Sequence, residues 1–271
     1  MTTSEMPADL YFALTLIVKM AVTAGFVVAA TVTAERAGPV IGGLVATLPI
    51  GAGPVYVFLA MDHDAHFIAQ SAVASLVVNV ANATLAVVYA LLAQKRPLIV
   101  SLPGAMLVWF VAVLVLRSVT WTAWSATLLN VVLLALCVAL TRTLRHVRMP
   151  PFHARWPDFL LRAAMVAVLV GVVVTFSFQL GATWSGFLAV FPVVLTSIAL
   201  VMHPRVGGKA AAAVLANAPI GLIGFGFACL VLHFAAEPLG NATGLALALA
   251  TSVGWSVLMM LAHRPPAPEL T

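Results

Sequence analysis

The groups in this chain best suited to holding a solute are carboxamides. Asn79, Asn82, Asn130 and Asn217 each stand inside a long apolar run. A carboxamide offers two N–H donors and an acceptor oxygen, so it can orient a polar solute without carrying charge. Its competing role is structural, as a hydrogen bond between membrane helices, worth typically about 0.6 kcal/mol. Asn130 stands alone and fits that structural role. Asn79 and Asn82 are three residues apart and share a helical face. Two cations, Lys19 and Arg162, also fall in apolar runs. Charge within a bilayer usually marks a functional position, although long basic side chains near an interface snorkel to it. As a pair, the two would draw an anion to each mouth of a pathway.

The backbone is a further source of polar groups. Pro49 and Pro54 lie in one apolar run and Pro192 in another. A proline inside a helix removes one hydrogen bond and blocks the carbonyl one turn back. In hydrocarbon the freed groups need another partner. The stretch LPIGAGP (48–54) carries two prolines and two glycines, more disruption than a packing kink needs. Broken helices of this kind line solute sites in transporters. Gly43 and Gly186 precede the two breaks and let neighbouring helices approach closely.

Asp62, His63, Asp64 and His66 form a short polar cluster that reads as a solvated turn, and no metal site is assigned to it. Cys137 and Cys229 stand alone, without the spacing of a zinc site or a disulfide framework. There is no phosphate-binding glycine loop, no HExxH and no GxSxG. A base for intramembrane catalysis is offered by His233 alone, near the end of its apolar run. No catalytic residue, no cofactor and no enzyme activity are expected.

The elements that must position these groups follow from composition. Of 271 residues, 63% are apolar and 8% charged, with a mean hydropathy of +1.13. Soluble domains have about 45–50% apolar and about 25% charged residues, so the chain is an all-α polytopic membrane protein. A formal charge of +5 and a pI near 9.8 do not point to nucleic acid, because the basic residues are sorted by side. Nine runs are long enough to cross a bilayer in about 20 residues: 12–34, 39–60, 67–93, 98–116, 122–140, 159–179, 183–202, 209–233 and 242–262. The opening MTTSEMPADL is acidic, so the first run is read as a retained helix rather than a cleaved leader. With nine spans, the basic residues divide 11 against 2 between the two sides. The basic side is cytoplasmic by the positive-inside rule, which puts the N-terminus outside and the C-terminus inside a bacterial inner membrane. The basic connector 141–158 is placed to meet anionic lipid head groups.

An internal repeat orders the spans. At an offset of 143, Lys19 falls on Arg162, Gly38 on Gly181, Gly43 on Gly186 and Pro49 on Pro192. At an offset of 138, AVASLVVN (72–79) lies on AAAAVLAN (210–217), pairing Asn79 with Asn217. The displacement is five spans, an odd number, so the second copy runs inverted through the membrane, as in many secondary transporters. This gives a first repeat of five spans over 1–141, a connector over 142–158, a second repeat of four spans over 159–262 and a tail over 263–271. Span nine is matched to span five, leaving span four as the extra helix.

The second copy, GATWSGFLAVFPVVLTSIALVMH (181–203) followed by a basic turn and KAAAAVLANAPIG (209–221), resembles the small GlpM-type bacterial membrane proteins. Those proteins are short, of about four spans, so the resemblance implies two such units in tandem. It implies a fold and no catalytic residues.

The expected function is secondary transport or export of a small polar solute, anions included. The site is expected near the midplane between spans two, three, seven and eight. Its groups are Asn79, Asn82 and Asn217 with the breaks at Pro49 and Pro192 and the close approaches at Gly43 and Gly186. The alternatives are a non-transporting scaffold subunit of an envelope or lipid pathway, and a passive channel. The partners expected are the solute and membrane lipid.

Overall fold

The computed structural model describes residues 8–36, 51–145 and 155–262. Gly38, Gly43 and Pro49 lie outside the described residues, as does most of the connector. The elements are α1 (Ala8–Arg36), α2 (Ala52–Asp62), α3 (Ala65–Leu92), α4 (Leu98–Arg117), α5 (Ala123–Thr141), a 3-10 turn (Arg142–Leu144), α6 (Trp156–Ala189), α7 (Val193–Val206), α8 (Gly208–Leu239) and α9 (Asn241–Ala262). Among the described residues there is no strand.

Local sequence explains where the helices begin and turn. Asp64 caps α3, its carboxylate accepting the Phe67 amide at 2.8 Å. Thr122 and Ser125 cap α5 reciprocally. At the start of α6, Asp158 accepts the Arg155 amide at 2.7 Å, and Pro157 occupies the first turn, where a missing N–H is harmless. Gly181 interrupts α6 with φ 71° and ψ 178°, a conformation that side chains with a β-carbon rarely adopt. Gly207, at φ 89°, turns the chain from α7 into α8.

Seven helices are long and apolar enough to cross a membrane, by length and composition: α1, α3, α4, α5, α6, α8 and α9. Nine spans were expected. The second expected span is described only from residue 51, as the 11-residue α2. The seventh is divided between the last turns of α6 and the 14-residue α7. The division follows from Pro192, which has no amide to continue the ladder.

α3 is the hub. It packs against α4, α5, α6 and α8, and 78% of its apolar window is buried, against 17% for α1 and α9. Single buried hydrogen bonds give the directions of its neighbours. Ser71, Ser75, Asn82 and Tyr89 meet Ala182, Gly186, Val190 and His203 in that order, so residues 182–206 run parallel to α3. Ala69 meets His233 and Asn79 meets Leu222, so α8 runs antiparallel. α1 packs along α6, and α8 lies between α3 and α9. The outward faces are apolar, with Ile99, Trp124 and Phe178 largely exposed. In water these would be a liability, and in a bilayer they are the expected surface.

Candidate functional site

The break between α6 and α7 is built from residues 182–193. Gly181 redirects the chain into a short helical stretch, 182–189, which ends at Val190 and Pro192. The Phe191 amide turns back to the Leu188 carbonyl at 2.9 Å, leaving the Val190 carbonyl without a helical donor. Asn82 supplies one: its Nδ2 donates to Val190 O at 2.8 Å. Its Oδ1 in turn accepts the Trp109 indole N–H from α4 at 2.7 Å. Further up, Ser75 Oγ donates to Gly186 O at 2.7 Å and Ser71 Oγ to Ala182 O at 3.0 Å. Tyr56 of α2 joins the same row through Ser75 at 2.6 Å. The broken segment is thus held to α3 by a line of side chains that reach its carbonyls. Gly186 permits the approach. A β-carbon there would overlap the Ser71 carbonyl and stand 2.8 Å from Ala74 Cβ.

The carboxamides divide between two jobs. Asn79 is fully buried and points to the other side of α3. Its Nδ2 donates to Asn130 Oδ1 at 3.0 Å and to Leu222 O at 2.8 Å. Asn130 donates to Leu76 O at 2.6 Å and Ala126 O at 2.9 Å. Asn79 Oδ1 is buried without a hydrogen-bond partner. Asn217 is exposed, and its amide returns to Ala213 O of its own helix at 2.9 Å. The expected meeting of Asn79 and Asn217 in one cavity is therefore not found among the described residues. The reason is helical phase, since Asn79 faces α5 and α8 whereas Asn217 stands on the outward side of α8.

The cations sit in ion pairs and caps. Lys19, 8% exposed, pairs with Asp62 at the end of α2. Arg162 reaches Ser197 of α7 at 3.3 Å. Lys19 therefore ties α1 to α2, and Arg162 ties α6 to α7. The polar turn is dispersed among separate partners. Asp64 caps α3, His66 pairs with Glu237 at 2.8 Å, and His63 meets Ser177 at 2.8 Å while stacking on Phe67. Burial pushes the His63 imidazole below the ordinary histidine range, with Asp62 and Asp64 opposing the shift. Arg145 of the connector is among the described residues. It turns inward to the carbonyls of Val138 and Ala216, and burial lowers its guanidinium from the usual range.

Two further features lie at the start of α2. Gly51, at the start of α2, lies against the first turn of α7: a β-carbon there would stand 3.9 Å from Val194 Cγ2. α2 and α7 thus start near one another and run apart, α2 toward Lys19 and α7 toward Tyr89. Beside the start of α2, among α1, α2, α8 and α9, lies a cavity of about 640 Å³.

Sequence reasoning missed Ser71, Ser75, Tyr56 and Trp109. A usable signal was present for two of them: Ser71 and Ser75 recur with Asn82 at helical spacing on one face of an otherwise apolar span. The chain matches no known family, no curated protein and no solved structure.

Proposed function

We propose that this protein is a secondary transporter or exporter of a small polar solute, anions included, in a bacterial inner membrane. The observation that carries the reading is the approach of Gly51 to Val194. It brings together the N-terminal ends of two half-helices inside an apolar bundle. Such ends carry partial positive charge, and discontinuous helices meeting near mid-bilayer are how many transporters hold anionic groups.

The inverted repeat supports the same reading. α1 packs on α6 and α3 on α8, so elements equated by the offsets of 143 and 138 lie together in pairs, as across a pseudo-twofold. The remaining contacts match α4 with α9: α3 with α4 parallels α8 with α9, and α4 with α7 parallels α9 with α2. On this pattern α5, rather than span four, is the unpaired helix that inverts the second copy. Counting 182–206 and the expected second span, of which α2 is the described part, gives nine passes, with the N-terminus outside. The likeness to GlpM-type proteins fits four-span units joined in this way. No group in this reading performs covalent chemistry.

The test is a reversible lock. In a background with Cys137 and Cys229 replaced by serine, Gly51→Cys and Val194→Cys are close enough to form a disulfide. The pair is reconstituted in liposomes and scored for counterflow of radiolabelled small carboxylates, phosphate and sulfonates. Oxidation should stop the flux and reductant should restore it. Flux unchanged by a formed cross-link, or no flux of any of these solutes by the unmodified protein, would remove the reading in favour of a scaffold.

A further inference from the structure

The 640 Å³ cavity is walled almost wholly by carbon, with Phe26, Pro54, Phe58, Phe225, Leu245 and Leu249 among its lining residues. Its volume falls within the range of small-molecule sites, about 300–1,000 Å³. Two hydroxyls reach the wall, and both are engaged: Thr23 donates to Lys19 O at 2.8 Å and Tyr56 meets Ser75 at 2.6 Å. A fully water-soluble solute would find no uncommitted hydroxyl there. Water itself is a poor occupant, because apolar cavities lack the two to four polar partners a water needs.

The cavity opens sideways. Val22, Val57 and Leu249 line it and are also 58%, 47% and 49% exposed on the apolar outer surface. In a membrane that surface meets hydrocarbon. At the end of the cavity formed by Phe58, Lys19 stands over the ring, its Nζ 5.7 Å from the centroid. Asp62 holds the ammonium in place. An ammonium has three donors, and the bond to Asp62 uses one of them. Arg117, which ends α4, lies instead over Trp184.

We propose that this cavity binds the hydrocarbon tail of a single-chain anionic amphiphile, a fatty-acid-like carboxylate entering from the bilayer, with its head group beside Lys19. The tail matches the carbon wall and the side opening. The carboxylate takes a donor of the Lys19 ammonium beside Phe58, and Asp62 keeps that cation in position. The inference rests on the transport reading only for what the ligand is for. Binding without flux would leave this site standing and transport fallen, and flux without binding would do the reverse.

The experiment uses the full chain in nanodiscs with a diazirine-bearing long-chain fatty acid, irradiated and mapped by peptide mass spectrometry. Adducts should concentrate on the cavity-lining turns of α1, α2, α8 and α9. Filling the space with Ala248→Phe should cut them at least about tenfold. Val57→Trp, at the half-exposed mouth, does the same with little demand on folding and decides the matter if Ala248→Phe does not fold. Lys19→Gln should weaken labelling by the fatty acid and spare labelling by the matching diazirine alcohol. Three outcomes would each overturn the proposal: adducts spread over the exposed faces of α4 and α5, labelling unchanged by Val57→Trp, or equal behaviour of acid and alcohol toward Lys19→Gln.

Discussion

Asn82 holds two groups that would otherwise be stranded in hydrocarbon, the Val190 carbonyl and the Trp109 indole N–H. Removing it leaves both unpaired, and a buried unpaired group costs about 1–3 kcal/mol. Asn82→Ala should therefore lower unfolding stability in detergent by about that amount, whereas Asn217→Ala, exposed and bonded within its own helix, should stay within about 0.5 kcal/mol. Equal losses would show that side-chain amides here stabilise in proportion to number rather than to partner. His63 predicts a pH effect. Its folded pKa lies below the ordinary value near 6.5, so the unfolded chain takes up a proton first as pH falls. Stability from this site is complete above about pH 6.5 and declines below it toward the folded value. Melting curves from pH 8 to pH 5 should show that slope, and His63→Gln should flatten it. At this scale the sequence marked residues worth attention without saying what they touch. Type and depth are written in the chain, but the partner of Asn82 is a carbonyl 108 positions away that becomes available only because another helix breaks.

The broken segment and α3 behave as one element. Ser71, Ser75 and Asn82 fasten three carbonyls spaced four residues apart, and Gly186 lets the backbones touch. Gly186→Ala should push the segment off α3, cost more than a typical core overpacking of about 1–3 kcal/mol, and sharply reduce the yield of monodisperse protein. Pro192→Ala adds a donor without crowding, so its yield should stay near that of the parent. A normal yield of Gly186→Ala would mean that the close approach is not required. The break at Pro192 was legible beforehand because proline lacks an amide; the break expected at Pro49 lies outside the described residues, and Pro54 stands in the first turn of α2 without breaking it. The reversal at Gly181 was not legible, since glycine is common in membrane helices and only the φ of 71° distinguishes this one. Lys19 and Arg162 were legible as a pair. Their ties to the two short helices were not, because Asp62 and Ser197 are remote in sequence and ordinary in type.

Across the whole molecule, basic residues collect where α3, α5 and α7 end and α6 and α8 begin: Lys95, Arg96, Arg142, Arg145, Arg155, Arg205 and Lys209. The opposite end has Asp62, Asp64 and Glu237 with Arg117. A C-terminal alkaline phosphatase fusion should thus be inactive and a C-terminal green fluorescent fusion bright, and the converse pattern would reverse the orientation. The all-helical, membrane-spanning character was readable from hydropathy, but the count was not: nine runs were expected, and seven helices among the described residues are long and apolar enough to span; the match of α4 with α9 was not readable either, because it rests on which helices touch. The docking of the broken segment on α3 also has a consequence for how the chain is made. The partners of Ser71 and Ser75 lie 111 residues downstream. A ribosome adding about 5–20 residues per second needs roughly 5–20 s to reach them. Through that interval the most deeply buried helix of the finished bundle presents its hydroxyls and carboxamides to lipid or to whatever insertion factor shelters them. Nascent chains stalled before Gly181 should accordingly be held by such a factor or cleared by membrane proteolysis, while those stalled after Val206 should escape both.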